Sequence, residues 1–258
     1  MDEQGEMAEA EAECREAIRI DPNDVIAHLS LGAALGEQGK ITEAEAEYRE
    51  AIRCEPSRAL AHYALGEALG NQGKAAEAQA EFRQAIRINP NDALAHYALG
   101  VTLGKEGKMA KAEAELREAI RIDPNYVQAH YNLGAALGEQ GKITEAEAEY
   151  REAIRIDPND AEAHLNFGTA LGQQGKMLEA EAEFREAIRC DSNYVKAYYN
   201  LGVALREQGK MVEAEAQYRE AIRRDPNYAL AHYALGAALR EQGKAAEAEK
   251  VFQEAKRL

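Results

Sequence analysis

Histidine is the residue type whose spacing most invites chemistry in this chain. His28, His62, His96, His130, His164 and His232 recur on a 34-residue period, and Tyr198 fills the one gap in the series. Such a row suggests metal ligands or acid–base groups. Zinc, however, needs all its ligands within about 2.0–2.3 Å of one ion. If 34 residues build two helices, equivalent side chains are separated by two helix layers of about 8–10 Å each. Single histidines so spaced do not converge, so no metal is expected. Packing is the expected role, which Tyr198 also suits, and a pH response is the alternative.

The other reactive types are sparse. Cys14, Cys54 and Cys190 match no zinc or redox spacing. Cys54 and Cys190 stand where other copies of the pattern carry Ile, so they read as small apolar packing groups in a reducing, cytoplasmic setting. The Gly36-x-x-Gly39 motif recurs in five copies, whereas a phosphate loop is singular and follows a strand. It reads as a helix terminus. With no nucleophile–base pair and few Ser or Thr, no catalysis and no cofactor are expected.

Charge narrows the partners. The 258 residues hold 31 Lys and Arg against 46 Asp and Glu, a formal net charge of −15. Nucleic acids are gripped largely through phosphate neutralisation, so they are poor partners for such a chain. Anionic membrane surfaces are disfavoured for the same reason. No apolar run approaches the roughly 20 residues that a membrane-spanning helix needs. The start, Met1-Asp2-Glu3-Gln4-Gly5-Glu6, lacks the apolar stretch of a secretory signal.

The elements that carry these residues follow from self-similarity. Leu31-Gly32, Leu65-Gly66, Leu99-Gly100, Leu133-Gly134, Phe167-Gly168, Leu201-Gly202 and Leu235-Gly236 lie 34 residues apart, and segments 31–53 and 133–155 are identical over 23 residues. Each copy reads as two helices. In the first, about Val25 to Gln38, Leu31, Ala34 and Leu35 share a stripe at helical spacing. Gly39 supplies a left-handed stop. In the second, about Thr42 to Glu55, Ala44, Tyr48, Ala51 and Ile52 face inward, with Thr42 as the expected N-cap. Pro56 prevents continuation, and Ser192 replaces it once. Glu45 and Arg49 sit four apart on what is expected to be a solvated face.

These residues resemble the tetratricopeptide repeat family, whose pattern of Leu-Gly, Ala, aromatic, Ala and Pro recurs along essentially the whole chain. The usual Trp is His here. The resemblance implies an all-α, right-handed superhelical solenoid of antiparallel helix pairs spanning 1–258. Its expected units are a partial leading repeat at 1–24, full repeats at 25–58, 59–92, 93–126, 127–160, 161–194 and 195–228, and a slightly truncated one at 229–258. Neither end carries a visible polar cap, so head-to-tail self-association is expected.

In that family the first helices line a concave groove that holds extended peptides. Carried onto this chain, the groove contains Tyr63, Tyr97, Tyr131, Tyr199 and Tyr233 as shelves. Asn132, Asn166 and Asn200 stand beside them, similar to the asparagine ladder in the repeat domain of O-linked N-acetylglucosamine transferase. A carboxamide offers both donor and acceptor to a peptide backbone. Towards the C-terminal copies Lys196, Arg206 and Arg240 gather, suited to a carboxylate, whereas Glu37 and Glu67 lie in the N-terminal ones. The expected function is a non-catalytic scaffold for a protein or peptide segment. Two alternatives are the recognition part of a larger enzyme such as a transferase, and a structural or designed array that associates end to end.

Overall fold

The computed structural model describes residues 3–258, with side chains from residue 9 onward, so the first two residues of the acidic start lie outside the described residues. Fifteen α-helices account for most of the described residues, and no strand occurs among them. A single helix, α1 (Glu3–Ile20), precedes seven pairs. These are α2 (Val25–Glu37) with α3 (Ile41–Cys54), α4 (Ala59–Asn71) with α5 (Ala75–Ile88), and α6 (Ala93–Lys105) with α7 (Met109–Ile122). There follow α8 (Val127–Glu139) with α9 (Ile143–Ile156), and α10 (Ala161–Gln173) with α11 (Met177–Cys190). The last are α12 (Val195–Glu207) with α13 (Met211–Arg224) and α14 (Ala229–Glu241) with α15 (Ala245–Ala255).

Local chemistry sets the helix ends. Asp24 caps α2 by accepting from the backbone N–H of Ile26 at 2.9 Å and Ala27 at 3.1 Å. At the other end Gly39 takes φ +75°, which lets Gly39 N–H reach Gly36 O and Lys40 N–H reach Leu35 O, both at 2.9 Å. That pairing satisfies carbonyls a helix otherwise leaves open, and it needs a residue without a Cβ penalty. The second helix corrects one expectation: α3 begins at Ile41, Lys40 holds the cap position without a side-chain cap bond, and Thr42 lies inside the first turn. Ile52 is half-buried rather than core, whereas Ala44, Tyr48 and Ala51 are buried.

The chain divides into two compact units, the boundary falling after Ala136 within α8. In the first, each helix from α1 to α7 packs on the next, and the first helices α2, α4 and α6 also touch in sequence. In the second, α9 to α15 pack in the same order, and α10, α12 and α14 touch. Within a pair, the Leu-Gly glycine receives the bulky residue of the second helix. A Cβ built on Gly66 would fall 2.5 Å from Cε1 of Phe82, which itself is only 1% exposed. The two are complementary halves of one contact.

Candidate binding surface

All the histidines except the half-buried His62 are buried, and they do more than pack. His96 donates from Nδ1 to Glu115 Oε2 at 2.7 Å and from Nε2 to Pro90 O at 3.3 Å. His28, His62 and His164 repeat the arrangement with Glu47 and Pro22, Glu81 and Pro56, and Glu183 and Pro158. For His96 and His164 both partners only accept, so the ring fills both bonds only as the imidazolium. Each histidine thereby ties the second helix of its repeat to the loop preceding its first helix. The hydrogen bond to Glu115 raises the His96 pKa above its usual value, against the opposing effect of burial, and Glu183 does the same for His164. No group of three or more potential ligands capable of holding a metal occurs among the described residues.

One repeat is rewired. Tyr198 donates its hydroxyl to Ser192 O at 3.2 Å, and Gln217 stands at the carboxylate position. Arg224, where other repeats carry Ile or Cys, lays its guanidinium 3.9 Å from the Tyr198 ring centre and donates to Ser192 O at 2.6 Å. Four substitutions thus change together.

The charged face of the second helices is not simply solvated. The Glu45 side chain is only 12% exposed and accepts from Arg49 at 2.8 Å, from Gln72 at 2.7 Å and from Lys74 at 3.0 Å. Gln72 and Lys74 belong to the next repeat, so the carboxylate clasps two repeats, and these bonds lower its pKa to about 2. Glu181 and Glu215 form the same clasp with Gln208 and Lys210, and with Gln242 and Lys244. At one joint the types are exchanged: Gln79 faces Glu106, which holds Lys108 at 2.6 Å. Gln79 Nε2 lies outside strict hydrogen-bond geometry, yet it is near enough to help Lys108 lower the Glu106 pKa.

The exposed face of the first helices is the remaining surface. In the first unit Tyr63 lies against Phe82, with ring centres 6.0 Å apart, and Tyr97 against Tyr126 at 4.8 Å. Asn132 donates from Nδ2 to Gln128 O at 2.8 Å and to Tyr97 Oη at 3.3 Å. Because a backbone carbonyl only accepts, the amide orientation is set and Oδ1 is turned away from these partners. A cleft of about 360 Å³ opens here, lined by Tyr63, Glu67, Tyr97, Val101, Thr102 and Lys105 among others. Tyr131 is half-buried on α8.

In the second unit Asn200 donates to Thr169 Oγ1 at 3.5 Å beside a cleft of about 260 Å³ that Met177, Phe184 and Val203 help to line. Asn166 is half-buried. Tyr199 packs between Tyr218 and Tyr228, at 6.1 Å and 5.7 Å, while Tyr233 is 60% exposed against Phe252. Lys196 and Arg240 are exposed, but Arg206 is already engaged by Glu207 at 3.1 Å. Sequence reasoning missed Tyr126 and Tyr228. Their signal was present: tyrosine occupies the first-helix cap position where Asp24, Asp92 and Asp160 cap, exchanging a cap for a ring contact.

Tetratricopeptide repeat models match residues 63–127, 165–229 and 199–258, together more than half of the chain, with further repeat matches at 34–73 and 136–175 and at 13–46 and 115–148. The chain belongs to the tetratricopeptide repeat family. No curated protein matches the sequence significantly. Among solved structures, the tetratricopeptide protein YrrB, described as having an unusual peptide-binding site, is 24% identical with a TM-score of 0.58, over 71% of this chain and 95% of its own. A tetratricopeptide repeat protein from Parabacteroides merdae is 18% identical with a TM-score of 0.71, over 92% and 93%. The Cut9-Hcn1 hetero-tetramer of the APC/C is 16% identical with a TM-score of 0.76; the match covers 92% of this chain but only 47% of the other. These likenesses show the tetratricopeptide fold. No helix among the described residues is long and apolar enough to cross a membrane.

Proposed function

We propose that the protein is a non-catalytic scaffold that holds an extended segment of a partner polypeptide along the exposed face of its first helices. The observation that carries this reading is the state of the asparagines. Asn132 commits both Nδ2 hydrogens to internal acceptors, which leaves Oδ1 for a visitor, and Asn200 commits one and keeps Oδ1 and one N–H. Asn132 therefore offers an acceptor to a peptide N–H group in the first unit, and Asn200 an acceptor and a donor in the second. Clefts beside Tyr97 and Asn200 provide room for side chains. The peptide-binding site described for YrrB is consistent with such a use of the fold.

A peptide selected from a random display library against the whole chain gives the test. Its affinity is compared for the wild type and the triple variant Asn132→Ala, Asn166→Ala, Asn200→Ala. At about 1 kcal/mol per hydrogen bond, affinity should fall tenfold or more. Equal affinity in both would refute the reading.

A further inference from the structure

Glu67 is the residue on the first-helix face that the fold does not explain. Its equivalents in the other repeats are Ala33, Val101, Ala135, Thr169, Val203 and Ala237, so packing at this position asks only for a small or short-branched side chain. The carboxylate has no hydrogen bond or salt bridge among the described residues. It is exposed, at the cleft walled by Tyr63 and Tyr97, and partial desolvation there raises its pKa against the opposing pull of Lys105. Lys105 lies across the cleft without closing an ion pair to it. Asp92, the other carboxylate nearby, is spent on the N–H groups of Leu94 and Ala95. Burial and the neighbouring Glu67 push the Tyr126 phenol up to about 12, and the same two causes raise Tyr63, so both hydroxyls stay neutral beside the carboxylate.

An unpaired carboxylate at a cleft with aromatic walls and no internal donor matches one ligand chemistry. An ammonium or guanidinium would supply the missing hydrogen bonds and counter-charge, and the electron-rich tyrosine faces attract a cation further. The chain's net charge of −15 favours the approach of a cation and opposes that of an anion. We infer that the cleft between α4 and α6 receives a lysine or arginine side chain of the bound segment, with Glu67 as its counter-charge and Tyr63 and Tyr97 as its walls. This rests on the peptide-scaffold reading and adds to it the character of one side chain.

The experiment is an NMR titration of the whole chain with three blocked pentapeptides, each alanine except for a central arginine, citrulline or glutamate. Citrulline keeps the shape of arginine and removes its charge. The arginine peptide should shift α4 and α6 amides, with the citrulline peptide about fivefold or more weaker and the glutamate peptide weaker still. Glu67→Gln should erase the preference for arginine over citrulline with the spectrum otherwise intact, and Lys105→Met should strengthen arginine binding. Equal affinity for arginine and citrulline, or a preference that survives Glu67→Gln, overturns the cation site while leaving a peptide surface in place. Silence of the first-helix amides towards all three peptides overturns the site and the scaffold reading together.

Discussion

At the scale of single residues, the histidine row changes meaning once its partners are known. An imidazolium between a carboxylate and a carbonyl is a charged tie, and its strength depends on the proton. The folded pKa values of His96 and His164 lie above the unfolded value of about 6.5, chiefly through Glu115 and Glu183. Their contribution to stability is therefore fully present below about pH 6.5 and is lost as pH rises through the raised folded values. Urea unfolding should show a higher midpoint at acidic than at alkaline pH across that window. Glu115→Gln combined with Glu183→Gln should flatten the dependence, and an unchanged slope in the double variant would count against the tie. The histidine period was legible in the sequence. The partners were not, because Glu115 lies 19 residues from His96 and the bond exists only once the two helices fold onto each other.

At the scale of elements, the helix pairs were almost fully legible. Leu-Gly marks the close approach, Gly39 and its equivalents mark the stops, and the aromatic of the second helix fills the space each glycine leaves. Start positions were less so: Thr42 has the chemistry of a cap, but after the left-handed turn at Gly39 the cap position falls two residues earlier, at Lys40. The joint between repeats escaped sequence reading altogether. Glu45 looked like half of a surface pair with Arg49, yet Gln72 and Lys74 arrive from 27 and 29 residues away. Such separations become neighbours only through stacking. Glu45→Ala removes a hydrogen-bonded charge and leaves donors that still reach water, so it should cost about 1–2 kcal/mol in urea unfolding. Arg49→Ala removes the pair with Glu45 and a longer, exposed contact with Glu77 at 3.8 Å, and should cost less, about 0.5 kcal/mol. Equal costs would return Glu45 to the role of a surface charge.

At the scale of the whole molecule, stability in a repeat array is roughly the sum of unit and joint contributions, so it need not be uniform. The last repeat is the weakest by this measure. Val251 stands where the other histidines find glutamate, and His232 keeps only Pro226 O, at 2.9 Å, while its buried Nδ1 has no hydrogen-bond partner and Glu254 stays 3.8 Å away. Backbone amides of α14 and α15 should exchange with deuterium before those of α10 and α11, where His164 holds both of its partners. Val251→Glu should slow that exchange; identical protection in the two regions would contradict the additive picture. The candidate surface is legible at this scale only in part. The asparagines and tyrosines announce themselves by register, but which amide atom faces outward depends on Gln128 and Thr169, which no periodicity singles out.

The exchanged joint at Gln79 and Glu106 bears on how such a chain can be edited. Excising residues 59–92 would remove α4 and α5 and preserve the period and every remaining helix, yet it would bring Glu45 opposite Glu106, two carboxylates in a slot shaped for one. Excising residues 195–228 would bring Glu181 opposite Gln242 and Lys244, a match. The repeats share a shape without being interchangeable. The glutamate–glutamine swap works as an address, recording which unit follows which.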